Sequence, residues 1–124
     1  MLVVEDNVVN QKVAVRMLER LGLRADLAAN GRESIAMPEL MSYDLVLMDC
    51  QMPGMDGFEA TLEIRRREGT AGRRSTIVAM TAEAMSNGRC MASGMDDLLL
   101  KPVTFEAVAG TIRKWIPDRA APRG

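Results

Sequence analysis

The stretch Tyr43-Asp44-Leu45-Val46-Leu47-Met48-Asp49-Cys50-Gln51-Met52-Pro53-Gly54-Met55-Asp56-Gly57 decides the fold. Its four consecutive apolar residues, Leu45 to Met48, are too few for a helix and are unbroken by polar positions. Such a run marks a strand buried on both faces, as inside a parallel sheet. Asp49 stands where the run stops, and Pro53-Gly54 and Asp56-Gly57 supply turn chemistry. The acid therefore sits at the mouth of a sheet, beside a loop, where open α/β sheets place their ligands. From this stretch alone Asp49 is either a helix cap or the centre of a reaction.

Toward the N-terminus, Leu2-Val3-Val4 is a short apolar strand that ends in Glu5-Asp6-Asn7. The chain opens inside this strand, which points to a domain excised from a longer protein. Val8 to Leu21 has helical period, with Val9, Val13, Ala14, Met17, Leu18 and Leu21 on one stripe, Asn7 as N-cap and Gly22 as C′ residue. Leu23 to Ala29 alternates loosely, as a half-exposed edge strand does. After a turn at Asn30-Gly31, a second helix spans Arg32 to Met41. Pro38 within it is expected to shorten, kink or restart the helix, since an interior proline costs about 3 kcal/mol.

Beyond the central strand, Phe58 to about Glu68 reads as a third helix. Phe58, Leu62 and Ile64 face inward and Arg65-Arg66-Arg67 outward. Gly69 to Ser75 is a polar loop, and Thr76 to Met80 a fourth strand ending in Thr81-Ala82. A weak helix follows from about Glu83 to Ala92, with Met85, Cys90 and Met91 as a poor stripe that Gly94 ends. Asp97 to Leu100 is a fifth strand running into Lys101-Pro102. Thr104 caps a last amphipathic helix with Phe105, Val108, Ala109, Ile112, Trp115 and Ile116 on one face, and Pro117 stops it. Five strands alternating with five helices imply right-handed crossovers and a parallel sheet covered on both faces. Residues 1–117 form one domain and 118–124 a tail or linker.

Composition excludes several classes. The 124 residues carry a net charge of −1, so nothing argues for nucleic acid or an anionic membrane surface as partner. No apolar run reaches the length of a membrane span and no signal-peptide pattern opens the chain, so a cytoplasmic setting is expected. Two cysteines are too few for a disulfide framework or a zinc site. There is no histidine, which removes histidine acid–base catalysis, histidine metal ligation and a phosphohistidine within this chain. The eleven methionines read as core filler and Cys50 as a small buried residue rather than a redox group.

The strand ends carry the chemistry. They supply Glu5 and Asp6, Asp49, Thr81 and Lys101, and in a parallel sheet these ends share one edge. Three carboxylates repel one another unless a cation sits among them, and hard oxygen donors without histidine favour Mg²⁺, with Mn²⁺ as the alternative. Such an ion is usually completed by a phosphate. A phosphoryl group, at about −1.5 to −2 charges, would take Lys101 and the metal as counter-charges and a bond from Thr81. Asp49 is then the nucleophile, forming an aspartyl phosphate. Asp56 belongs to the turn.

These stretches together resemble the receiver domain of two-component response regulators. The match rests on Val3-Val4-Glu5-Asp6-Asn7, on Leu47 to Pro53 with Met55-Asp56-Gly57, on Met80-Thr81-Ala82 and on Lys101-Pro102. The wording around Asp49 and from Asn7 to Met17 is most similar to receivers of hybrid sensor histidine kinases. The resemblance implies a flavodoxin-like doubly wound (βα)5 fold with strand order 2-1-3-4-5. It implies that Asp49 accepts a phosphoryl group from a phosphohistidine on a histidine kinase or histidine phosphotransfer domain. It further implies that Asp6, Asp49 and the Gln51 backbone carbonyl ligate Mg²⁺, with Glu5 acting through water, that Thr81 and Lys101 contact the phosphoryl oxygens, and that Lys101-Pro102 is cis. Leu98 stands where relatives usually carry an aromatic switch residue, so output is expected to run through Thr81 and the fourth helix. The last two helices offer a face for dimerisation. Two other functions compete: a receiver-like binding module that takes no phosphate, and an aspartyl-phosphate hydrolase, which would want an acid where Gln51 stands. On the leading reading the chain is no kinase and catalyses only its own phosphorylation and dephosphorylation.

Overall fold

The computed structural model describes residues 1–71, 74–83 and 87–117. The elements run β1 (Leu2–Val4), α1 (Val8–Arg20), β2 (Asp26–Ala28), α2 (Gly31–Leu40), β3 (Leu45–Asp49), α3 (Gly57–Ala71), β4 (Thr76–Thr81), α4 (Asn87–Ser93), β5 (Asp97–Leu100) and α5 (Phe105–Trp115). All strand pairs are parallel and their order is β2-β1-β3-β4-β5, as expected from the alternation and the resemblance.

Side chains of the central strands alternate between two cores because successive residues of a strand point to opposite faces. Leu2, Val4, Val46, Met48, Ile77 and Ala79 pack with Ile35 of α2, Phe58 and Ile64 of α3 and Cys90 of α4. Val3, Leu45, Leu47, Val78 and Met80 pack with Leu18 of α1 and with Val108 and Ile112 of α5. Each fully buried Val, Leu or Ile contributes roughly 1.5–3 kcal/mol, so a sheet apolar on both faces is the main source of stability.

The helix ends follow the sequence signals. Asn7 accepts from the Asn10 N–H, Asn30 from the Glu33 N–H and Thr104 from the Ala107 N–H. Gly22 follows α1 with φ of 75° and Gly94 follows α4 with φ of 100°, a region a side chain rarely adopts.

Several expectations need correction. β2 is confined to Asp26–Ala28, and its buried member is Ala28 while Leu27 is exposed. On α1 only Leu18 of the expected stripe is fully buried; Ala14, Met17 and Leu21 pack partly buried against the same core, and Val9 and Val13 are exposed. α2 runs through Pro38 without restarting. The proline falls in the last turn, where helix remains only to Leu40, so it removes one backbone bond near an end. α3 extends through Gly69 to Ala71, so the expected loop is shorter. Leu62 is 55% exposed, because the inward arc of α3 is centred on Ala60, Thr61 and Ile64, with Thr61 satisfied by donating its hydroxyl to the Gly57 carbonyl at 2.7 Å. Arg65 is held inward rather than solvated. Of the weak helix, Asn87–Ser93 is helical; Met85 and the tail from 118 lie outside the described residues.

Candidate functional site

Sheet register brings the strand ends together. Val4 pairs with Met48, so Glu5 stands level with Asp49. Asp49 pairs with Met80, one residue before Thr81, and Thr81 pairs with Leu100, one before Lys101. The ladder continues past these pairs, with the Cys50 N–H on the Met80 carbonyl at 3.0 Å and the Lys101 N–H on the Thr81 carbonyl at 2.8 Å. Backbone pairing therefore fixes the site before any side chain does.

Asp49 is 1% exposed. Its Oδ1 accepts from Lys101 Nζ at 2.8 Å and from the Gln51 N–H at 3.0 Å, which orients the carboxylate. Glu5 is also buried. Its Oε1 accepts from the Asn7 N–H at 3.1 Å, its Oε2 lies 3.9 Å from Lys101 Nζ, and its carbonyl accepts from Gln11 Nε2 at 2.7 Å. Asp6 is exposed at the rim. One carboxylate oxygen from each of Glu5, Asp6 and Asp49 lies within 4.8 Å of the others. Burial pushes Glu5 up to about 7; the Asn7 N–H opposes this, and the negative charge of Asp49 adds to it. One ammonium against three carboxylates leaves excess negative charge, and the donor set is all oxygen. That chemistry fits a hydrated hard dication.

Thr81 is buried and its Oγ1 accepts from the Glu83 N–H at 3.1 Å. Lys101-Pro102 is cis. Gln51 follows Asp49 in the exposed loop, and Leu98 is half-buried against the core that contains Met48 and Cys90. Asp56 caps α3, accepting from the Glu59 N–H at 2.9 Å, in keeping with its assignment to the turn. Gly57 lets that loop fold back on the acid, since a Cβ there would meet the Asp49 carbonyl oxygen at 2.3 Å. Burial, with Cys90 beside it, pushes the Cys50 thiol up to about 12, which suits an inert packing group.

Sequence reasoning missed one neighbour. A cavity of about 410 Å³ opens beside Gln51 and Thr81, bounded by Asp56, Phe58, Glu83 and Arg89. Arg89 stacks on Phe58 with its guanidinium carbon 4.0 Å from the ring centroid. No periodicity or motif marks Arg89, which lies on the helix with the weakest pattern.

A family model for the response regulator receiver domain matches residues 1–113. The chain belongs to this family. Over 93% of its length this receiver domain is 45% identical to the hybrid signal transduction protein dokA of Dictyostelium discoideum. It spans between 4% and 15% of the length of the curated relatives compared. Among solved structures it resembles the receiver domain of sensor histidine kinase PA1611 of Pseudomonas aeruginosa PAO1. That likeness has a TM-score of 0.84 and 43% identity and covers 94% of this chain and 95% of that one. The PA1611 receiver carries a magnesium ion coordinated in its active site cleft. A second likeness is to the Saccharomyces cerevisiae co-crystal of the histidine phosphotransfer protein Ypd1 with the Ssk1 receiver domain. It has a TM-score of 0.88 and 34% identity and covers 96% and 89% of the two chains. The expected family and fold are thus borne out, and the receiver is a module of two-component phosphorelay signalling. No helix among the described residues is long and apolar enough to cross a membrane.

Proposed function

We propose that Asp49 is the phosphoacceptor of this receiver, taking a phosphoryl group from a phosphohistidine on a histidine phosphotransfer domain or histidine kinase. The observation that carries this is the buried Asp49 carboxylate, bonded by Lys101 at 2.8 Å and clustered with Glu5 and Asp6 within 4.8 Å. Attack of a carboxylate oxygen on phosphorus breaks the P–N bond, and the imidazole nitrogen departs with the electron pair. The Gln51 N–H holds the carboxylate in place as nucleophile. Lys101, already against Asp49, moves to an oxygen of the incoming group, and the Thr81 hydroxyl donates to another. Glu5, Asp6, Asp49 and the Gln51 carbonyl would hold Mg²⁺, or Mn²⁺, which when bound neutralises charge on the phosphoryl oxygens. The magnesium-bearing PA1611 receiver supports that choice.

The Ypd1–Ssk1 likeness supports a phosphotransfer domain as partner, and so do the exposed Val8, Val9 and Val13 on α1 beside the acidic edge. On this reading the chain's own chemistry is limited to gaining and losing the phosphoryl group, the kinase activity lying elsewhere. The domain works in the cytoplasm, as part of a hybrid sensor kinase. Output runs through Thr81 and α4, with Leu98 in place of an aromatic reporter; unchanged amide spectra between Thr81 and Leu98 on phosphorylation would rule that out.

Intact mass after incubation with phosphorylated phosphotransfer domain, with and without Mg²⁺, tests the acceptor. A metal-dependent gain of one phosphoryl group, lost in Asp49→Asn, is the expected result. A gain that persists in Asp49→Asn means another nucleophile, and no gain in the native chain favours a binding module that is not phosphorylated.

A further inference from the structure

The cavity is lined by Cys50, Gln51 and Thr81, which flank Asp49 in sequence and in sheet register, and by neither Lys101 nor Glu5, so it meets the site on a different side from the acidic cluster. Its charged wall residues are Asp56, Glu83 and Arg89. Arg89 is stacked on a ring but its side chain is 66% exposed and its donors are underused. Its guanidinium lies 4.0 Å over the buried Phe58 ring, and its Nη2 is 3.6 Å from Asp56 Oδ2, an ion-pair distance too long for a good hydrogen bond. No described residue accepts a hydrogen bond from it. Stacking on an aromatic face holds the plane of a guanidinium while leaving its edge donors free to grip an anion. Without Arg89 the cavity mouth would carry two carboxylates and repel any anionic reactant.

We propose that Arg89 is a donor-binding residue that receives the carboxylate leaving group of an acyl phosphate entering by this cavity. The proposal rests on Asp49 being the phosphoacceptor. In the reaction an Asp49 oxygen bonds to phosphorus, the P–O bond to the acyl group breaks, and the acyl oxygen leaves with the electron pair as a free carboxylate. Negative charge grows on that oxygen as the bond breaks, so a positioned guanidinium stabilises the transition state more than the bound donor. A donor whose leaving group departs as neutral ammonia gains nothing from it.

The test compares acetyl phosphate with phosphoramidate as donors to the full chain in saturating Mg²⁺, for the native protein, Arg89→Gln and Arg89→Lys. Arg89→Gln is expected to slow phosphorylation by acetyl phosphate about threefold or more, the scale of one charged contact at an exposed site. Its phosphoramidate rate stays at the native value, and Arg89→Lys recovers part of the loss. Equal slowing with both donors means Arg89 only braces α4 against the loop and overturns the proposal, as does a native acetyl phosphate rate in Arg89→Gln. A native chain that accepts from neither donor, nor from a phosphorylated phosphotransfer domain, refutes the phosphoacceptor reading itself.

Discussion

Arg65, Arg66 and Arg67 are equivalent in sequence, and the structure makes them unequal. Arg65 is 16% exposed at its side chain and Arg66 68%. Arg65 Nε donates to the Gly94 carbonyl at 2.8 Å, Nη1 to the Ser75 carbonyl at 2.8 Å and Nη2 to Asp96 Oδ2 at 2.8 Å, and Nη1 also pairs with Glu68. It thus ties α3 to the start of β4 and to the turn between α4 and β5. Arg65→Ala strips two backbone carbonyls of a charged donor, each bond contributing about 1.5 kcal/mol at the low end for hydrogen bonds to charged groups. The abandoned carboxylates fare better. Glu68 keeps the Ser75 N–H at 2.8 Å and Asp96 keeps the Ile77 N–H at 2.8 Å. The sum is about 3 kcal/mol, the lower edge of what breaking a buried pair costs. Arg66→Ala loses only an exposed pair with Glu63 and should leave stability close to native. Urea denaturation separates the two: with a slope of about 1.5 kcal/mol/M, the midpoint falls by about 2 M for Arg65→Ala and hardly moves for Arg66→Ala. Midpoints for the two variants that agree within error would refute the assignment of Arg65 as an anchor.

Three further outcomes are expected. Gly57→Ala should cost about 3 kcal/mol and slow phosphorylation, because its Cβ would press on the Asp49 carbonyl oxygen at 2.3 Å; native-like stability and rate would show that the loop yields freely. Leu62→Lys should change stability by less than about 0.5 kcal/mol, whereas Ile64→Ala should cost about 2–4 kcal/mol, and chemical denaturation of the pair checks which face of α3 is inward. Burial alone would raise Glu68 and Asp97, but Ser75 with Arg65 in one case, and Trp115 with the Leu98 N–H and Lys114 in the other, hold both below their usual range. Groups depressed in the folded state stabilise it above their unfolded values, near 4.5 for Glu and 3.8 for Asp, and lose that contribution as pH falls through the folded values. Glu5, raised to about 7, adds stability as pH falls to 4.5 and then contributes a constant amount. Denaturation midpoints should therefore drop from about pH 4.5 to about pH 3, and Glu68→Gln should flatten that drop; an unchanged slope in that variant would exclude Glu68 as a contributor.

Much of the site was legible because it is written at strand ends. A parallel sheet places every such end on one edge, so Glu5, Asp49, Thr81 and Lys101 could be grouped from the alternation of elements alone. The observed register then sets Glu5 level with Asp49 and Lys101 one residue past the partner of Thr81. Helix caps were legible for the same local reason, since Asn7 and Thr104 act on backbone within three residues.

What periodicity could not give is which direction each helix presents to the sheet. Leu62 and Arg65 show the limit: apolar or charged character suggests a face, but α3 is rotated so that Thr61 and Ile64 point in. Arg65 stays inward because carboxylates and carbonyls from distant segments, at Ser75, Gly94 and Asp96, meet it there. The same holds for Arg89, which becomes a wall of the cavity beside Gln51 and Thr81 because α4 packs it onto Phe58. The sequence by itself determined the alternating elements, the parallel sheet and the residues on its reactive edge, because backbone pairing and turn chemistry are local or topological. The tertiary structure alone decided the rotation of each helix and the partners of the arginines, because those depend on contacts between residues far apart in the chain.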